Sequence, residues 1–370
     1  METKKKGFPA AFWVCACTEI FERLAYYLGR SLILIFVTAS VATGGLGLSD
    51  TVAANMQSNL TAFSYLLPLF GAVIVDKYIG ARYTTPVGMF IAAAGYFTGG
   101  IAKSSVGVYA MIFLVSLGLA LFKNGAIIGR VITDKSQMDP AFSMRYTLVN
   151  VGAFIGTFLV GILYKDVFAK DGVLGFAPCF KMAALMMVLG GLWYIFVCWR
   201  FLGDLGKLPF KKTLTEEEKA AEAKKKEETG TKQPLTTIEK KRIGAIFVAS
   251  LFSIVFWIFW YLGYMPVYFY WAENMDWVVA GYQVPSTWFD AANSLFCVIL
   301  GPVTAALWKK LAARPQGDMS LFRKTGLGIA IIGVGYLFYA AIDILRGGEK
   351  ASVLWLIVFA FLLTMGEMFF

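Results

Sequence analysis

Histidine is absent from this chain of 370 residues. The commonest general base and the commonest zinc ligand are therefore both missing. Cysteine is sparse: Cys15, Cys17, Cys179, Cys198 and Cys297 are odd in number and scattered, which excludes a disulfide framework and a metal-ligand spacing. Charged residues make up only 16% of the chain, too few to clothe a soluble protein of this length. No nucleophile–base constellation stands out. The glycine-rich GGLGLS at 44–49 follows no strand and opens no helix, so it reads as a turn. These gaps argue against an enzyme, and neither a metal nor an organic cofactor is expected. Nor is a secretory leader: Glu19 interrupts the first apolar run, which then resumes as a full span.

What is present is apolar. Hydrophobic residues account for 58% and aromatics for 16%, with a mean hydropathy of +0.65. A helix needs about 20 mostly apolar residues to cross roughly 30 Å of hydrocarbon. Such stretches recur at 10–39, 51–75, 84–102, 106–133, 141–165, 178–202, 242–272, 286–308, 321–345 and 351–370. Nine are complete and the tenth stops at Phe370, so the expectation is an all-α polytopic membrane protein. Bases cluster before the first span (Lys4, Lys5, Lys6) and in alternate loops (Lys77 and Arg82; Arg130 and Lys135; Lys309, Lys310, Arg314, Arg323 and Lys324), which predicts a cytoplasmic N-terminus. Read this way, the net charge of +10 is a topology signal and not a nucleic-acid footprint. One stretch breaks the apolar pattern: KKTLTEEEKAAEAKKKEETGTKQPLTTIEKKR at 211–242 is too polar to insert. It reads as a cytoplasmic connector between six spans and the rest, helical over 214–228 where acids and bases alternate.

The most informative segment is TEIFERLAYYLGR at 18–30, which sets Glu19, Glu22, Arg23 and Arg30 inside the first apolar run. A helix entering the membrane near Ala10 carries Glu19 about 13 Å deep and Glu22 about 18 Å deep. Each mid-membrane charge costs about 2.5–3.5 kcal/mol unless it is paired or hydrated. At about 100° per residue, positions 19, 22, 23, 26, 27 and 30 share one sector of the helix, which must face a polar interior. An ion-pair knot between helices would satisfy that demand. A cavity lined by titratable groups satisfies it too, and lets proton and ligand compete for the same partners. Other spans carry matching oddities: Lys123 in LFKNG, Asn150 in RYTLVNVG, Asn293 in FDAANS and Glu367 in TMGEMFF. Together they suit a cavity for a zwitterion. By contrast GAFIG at 152–156 and GYFTG at 95–99 have the small-residue spacing of close helix packing. The acceptor-like Asn59-Leu60-Thr61 lies inside the second span and reads as chance.

The arrangement of Glu19, Glu22, Arg23, Tyr26 and Tyr27, with Arg30 beyond, resembles the first-helix E-x-x-E-R-x-x-Y-Y signature of the proton-dependent oligopeptide transporter (POT/PTR) family of the major facilitator superfamily. The resemblance runs along the chain. GAVIVDKYIGAR at 71–82 is similar to the superfamily's loop between helices two and three, and Lys123 occupies the family's fourth-helix lysine position. Tyr146, Asn150 and Gly152 follow its fifth-helix F-Y-x-x-x-N-x-G pattern. Phe256-Trp257 resembles the start of the seventh-helix motif, Asn293 with Pro302 and Trp308 the eighth, and Gly366-Glu367 the tenth.

The resemblance implies two helix bundles, residues 1–203 and 242–370 joined by the charged linker 204–241, with the second bundle incomplete at helices seven to ten. It implies a proton-coupled symporter of di- and tripeptides working by alternating access in the plasma membrane, as a monomer with protons as coupling ion. Carried over position by position, Arg23, Lys123 and Tyr27 would receive a peptide carboxylate, with Tyr26, Arg30 and Tyr65 in the same pocket. Asn150, Asn293 and Glu367 would receive the ammonium. Glu19, Glu22, Arg23 and Lys123 would take part in proton coupling. There are departures. Tyr261 stands where the seventh helix usually carries the acid that pairs with the base at Arg30, Asn124 follows Lys123 where Pro is usual, and Ser294 follows Asn293. An importer of nitrate or another small anion on the same scaffold would leave Glu367 without a role. A nontransporting peptide sensor would bind without moving substrate.

Overall fold

The long apolar runs form helices, because only a helix satisfies every backbone donor and acceptor within its own segment where water is excluded. In the computed structural model, which describes residues 7–134, 137–212, 236–264, 266–317 and 319–370, these are α1 (Ala10–Thr38), α2 (Asp50–Lys77), α3 (Ala81–Gly99), α4 (Ser105–Leu121), α5 (Asn124–Val131), α6 (Met138–Ile162) and α7 (Phe176–Trp193). After them come α8 (Thr237–Tyr264), α9 (Pro266–Asn274), α10 (Trp288–Ala312), α11 (Leu321–Leu345) and α12 (Leu354–Phe369). Among the described residues, seven helical segments are long and apolar enough to cross a membrane. The helices of α8 to α12 leave large apolar side chains such as Ile246, Phe247, Leu251, Ile254 and Leu337 exposed, a surface that suits lipid and not water. The molecule is an integral membrane protein. The helical reading of 214–228 falls outside the described residues.

By contact the chain divides into two units, one of residues 1–210 with 277–298 and one of 211–276 with 299–370. In the first, α1 is a central helix packed by α2, α6 and α7, and buried residues occur all round it. That position is why a helix carrying four charges is tolerated: its polar groups meet protein, not lipid. Close approach is set by small residues. A Cβ at Gly152 would lie 2.8 Å from the Ile20 carbonyl oxygen, and one at Gly156 would lie 2.5 Å from that of Leu24, so α6 sits backbone-to-backbone on α1. Where α7 runs on towards residue 202, Arg82 at the start of α3 donates to the carbonyls of Gly203 and Trp199 and lies 5.0 Å over the Trp199 ring.

The expected span at 106–133 is divided. The stretch 106–133 is two helices, α4 and α5, because Phe122 is extended (φ −74, ψ 102) and Lys123 leaves helical geometry (φ −121, ψ 33). Side-chain bonds hold the break: Lys123 Nζ donates to the Pro68 carbonyl of α2 at 2.9 Å, and Asn124 Nδ2 donates to the Cys15 carbonyl of α1 at 2.8 Å. The GGLGLS segment lies in the turn after α1, where Gly44 takes a left-handed conformation at φ 86.

Segment 277–298 belongs to this unit. It opens with a two-stranded antiparallel hairpin, Val278–Val279 with Tyr282–Gln283, whose two turn residues Ala280 and Gly281 both have positive φ (50 and 80). It continues into the first turns of α10. Lys165 Nζ donates to the Gln283 carbonyl at 2.6 Å, Tyr282 donates to Asp166 at 3.0 Å, and the Trp288 indole donates to the Phe158 carbonyl at 3.1 Å while stacking on the Phe158 ring.

In the second unit α11 and α12 pack through Gly328 and Gly366, each against the other's backbone carbonyl. Tyr336 on α11 donates to the Phe259 carbonyl of α8 at 2.6 Å, and Trp271, Tyr336, Tyr339 and Phe359 form an aromatic core. A short parallel pairing of Met275–Asp276 with Ala351–Ser352 closes the end of this unit.

Candidate functional site

The predicted sector of α1 faces inward. Glu19 is 2% exposed and Glu22 is fully buried; Tyr26 and Arg30 are buried, while Arg23 and Tyr27 are partly so. Neighbouring positions on a helix point about 100° apart, so Arg23 has to fold back along the helix to reach Glu22. It does so with both arms: Nε donates to Glu22 Oε2 at 2.5 Å and Nη2 to Oε1 at 2.6 Å. This two-armed geometry is the strongest form of carboxylate–guanidinium contact, and it leaves a side of Arg23 exposed. The same guanidinium lies 4.8 Å from the centre of the Tyr26 ring, and Arg30 lies 5.7 Å from that of Tyr27. The two tyrosine rings meet edge to face at 5.4 Å.

Of the remaining predicted residues on the first unit, Lys123 stands at the break between α4 and α5 and is half-buried. Asn150 is buried on α6 and donates to the Tyr146 carbonyl of its own helix at 3.0 Å. Asn293 is buried on α10, and Tyr65 on α2 is 71% exposed. Glu367 lies on α12 of the second unit, where its Oε2 accepts from the Trp260 indole at 3.2 Å. Tyr261, at the departed seventh-helix position, packs edge to face on Trp260.

Two contributors, Arg145 and Asp290, escaped the reading of the sequence, and Asn124 entered it only as a departure beside Lys123. Arg145 on α6 donates from Nε to Glu19 Oε1 at 2.9 Å, and Asn124 Nδ2 reaches the same oxygen at 3.1 Å. Asp290, in the first turn of α10, places Oδ2 3.6 Å from Arg30 Nη1. The signal was available in each case. Arg145 is a base inside the apolar run 141–165 and occupies the aromatic position of the fifth-helix pattern, and Asp290 is an acid inside the run 286–308. Each, like Glu22, is a charge inside an apolar run that demands a partner.

Apolar membrane helices around a buried, charge-paired interior define a polytopic membrane protein. A sequence model of the POT family (PTR2) matches residues 198–370. Across 98% of its length the chain is 24% identical to an uncharacterized transporter, YclF, of Bacillus subtilis, covering 80% of that protein. It is 23% identical to a di-/tripeptide transporter of Lactococcus lactis, again across 98% of the chain and 81% of the relative. The crystal structure of a POT family transporter in complex with 5-aminolevulinic acid superposes with a TM-score of 0.84 at 23% identity, covering 99% of this chain and 83% of that one. The fold is that of the POT transporters, the major facilitator architecture. The POT family model thus matches the second part of the chain, and along nearly its whole length the chain is similar to transporters of that family.

Proposed function

We propose that this protein imports di- and tripeptides in symport with protons, by alternating access across the plasma membrane, as a monomer with its N-terminus in the cytoplasm. The observation that carries the reading is the buried Glu22–Arg23 pair. A guanidinium bound on both arms by a carboxylate has little left for a second one. When Glu22 takes a proton its carboxyl becomes neutral and leaves the positive charge of Arg23 unbalanced, so Arg23 is released to a peptide carboxylate; when Glu22 is ionised it competes the peptide away. Proton and substrate binding are linked in this way without any covalent step.

In this reading residues 1–203 form the first bundle, 204–241 the cytoplasmic linker and 242–370 the second bundle. Arg23, Lys123 and Tyr27 take the carboxylate, with Tyr26, Arg30 and Tyr65 shaping the same pocket. Asn150, Asn293 and Glu367 are assigned to the ammonium, and Glu19 and Glu22 to coupling. An acid and amides for an ammonium favour a zwitterionic peptide over nitrate, which has no cationic end. The relative from Lactococcus lactis, named a di-/tripeptide transporter, supports the substrate class.

The test is uptake of a labelled dipeptide into liposomes holding the purified protein, with and without an inward proton gradient. Accumulation that collapses with the gradient is the expected result. Binding of the peptide without accumulation would replace the transporter by a sensor, and uptake of nitrate in place of peptide would replace the substrate.

A further inference from the structure

The two acids of α1 are held in different ways. Glu22 is paired within its own helix, by a side chain that is one-quarter exposed and needs only to rotate away. Glu19 is held by two other helices at one oxygen atom: Arg145 from α6 and Asn124 from the start of α5 both donate to Oε1. Asn124 is fully buried, and its amide nitrogen spends a further bond on the Cys15 carbonyl, so it is not free to turn. A proton on either oxygen would cancel the negative charge that balances Arg145 at 2.9 Å and weaken both bonds to Oε1. Freeing Glu19 therefore means separating α1, α5 and α6, not rotating one side chain. The charged and titratable groups around Glu19 are Cys15, Glu22 and Arg23 on its own helix and Arg145 from α6, with Cys198 beside Cys15.

We propose that Glu19 remains ionised throughout the cycle as the fixed counter-ion of Arg145, and that Glu22 alone of the α1 acids takes up the coupling proton. Arg145 is then a positioning residue. Acting through Glu19 and Asn124, it fastens the helix break that carries Lys123. The division of labour between the acids rests on the proposed function; the clamp itself does not.

Infrared difference spectroscopy of the membrane-reconstituted protein on acidification reads the carbonyl band of a newly protonated buried carboxylic acid directly, without transport. E19Q alone strands Arg145 without a counter-charge, so the charge-neutral E19Q/R145Q is the working variant. The expected result is a band that disappears in E22Q and persists at full intensity in E19Q/R145Q. Loss of intensity in E19Q/R145Q, or a band that E22Q leaves untouched, overturns the proposal. Thermal melting gives the second reading: R145Q should melt below E19Q/R145Q, and strictly additive effects of E19Q and R145Q would overturn the clamp. If dipeptide uptake fails while both results hold, the symporter reading falls and the clamp stands.

Discussion

Arg30 and Asp290 face each other at 3.6 Å, the arginine on α1 and the aspartate in the first turn of α10. Both side chains are largely buried, at 7% and 19% exposed. The sequence raised a difficulty here, since the acid expected on the seventh helix to balance Arg30 is Tyr261. The balancing carboxylate comes instead from the segment that docks through Trp288 on α6 and through Tyr282 and Gln283 on the residues just after it. The ion pair is therefore one of several bonds holding residues 277–298 against the rest of the first unit.

Removing Asp290's charge should expose what that pair contributes. Asp290→Asn takes from buried Arg30 the carboxylate that faces it, and breaking one side of such a pair typically costs about 3 kcal/mol. The expected outcome is a clear drop in the melting temperature of the purified protein. Arg30→Gln/Asp290→Asn, which removes both charges, should recover most of it. A double variant no more stable than the single one would show that the two residues do not depend on each other.

Coupling is tested at Glu22. Glu22→Gln keeps the shape of the side chain but fixes it neutral, so Arg23 is permanently available to a carboxylate. Gradient-driven accumulation of dipeptide should fall to background, while exchange of labelled for unlabelled peptide across the liposome membrane continues. Normal accumulation by this variant would remove Glu22 from coupling.

The approach of α6 to α1 supports a stability prediction. Gly156→Ala would set a methyl group 2.5 Å from the Leu24 carbonyl oxygen, and that neighbour is backbone, which cannot rotate aside. Overpacking of this kind costs typically 1–3 kcal/mol. Gly301→Ala, where a Cβ meets nothing within 4 Å, is the control. The first should lower the melting temperature and the second should leave it nearly unchanged.

Most of the helical framework was legible because a membrane span is written in one dimension, as a run of apolar residues, and the helix ends fall within a few residues of those runs. The break at Phe122 and Lys123 was not, since the run continues unbroken through LFKNG and what interrupts the helix is a pair of side-chain bonds to α1 and α2. Within the candidate site, the inward sector of α1 followed from helical periodicity alone. The partners of its charges did not, because Arg145 and Asp290 lie on helices remote in sequence, and pairing across helices is set by packing that periodicity does not encode. Glycine spacing came closest to bridging that gap: GAFIG on α6 marked a close approach, and the carbonyls of Ile20 and Leu24 show what it approaches.

Lys123 offers a test of substrate recognition separable from folding. Its ammonium is half-buried at the helix break and bonded to the Pro68 carbonyl, a neutral acceptor that makes a modest net contribution, about 1 kcal/mol. A peptide carboxylate would be a better partner, since a charged acceptor strengthens the bond to about 1.5–3 kcal/mol. Lys123→Ala should therefore weaken dipeptide binding by roughly tenfold or more, at about 1.4 kcal/mol per decade, while lowering the melting temperature only slightly. Calorimetric titration of the purified protein with a dipeptide and with its C-terminal amide distinguishes the causes. The variant and the unmodified protein should differ for the free carboxylate and agree for the amide. An equal loss for both ligands would assign Lys123 to the helix break and not to the peptide.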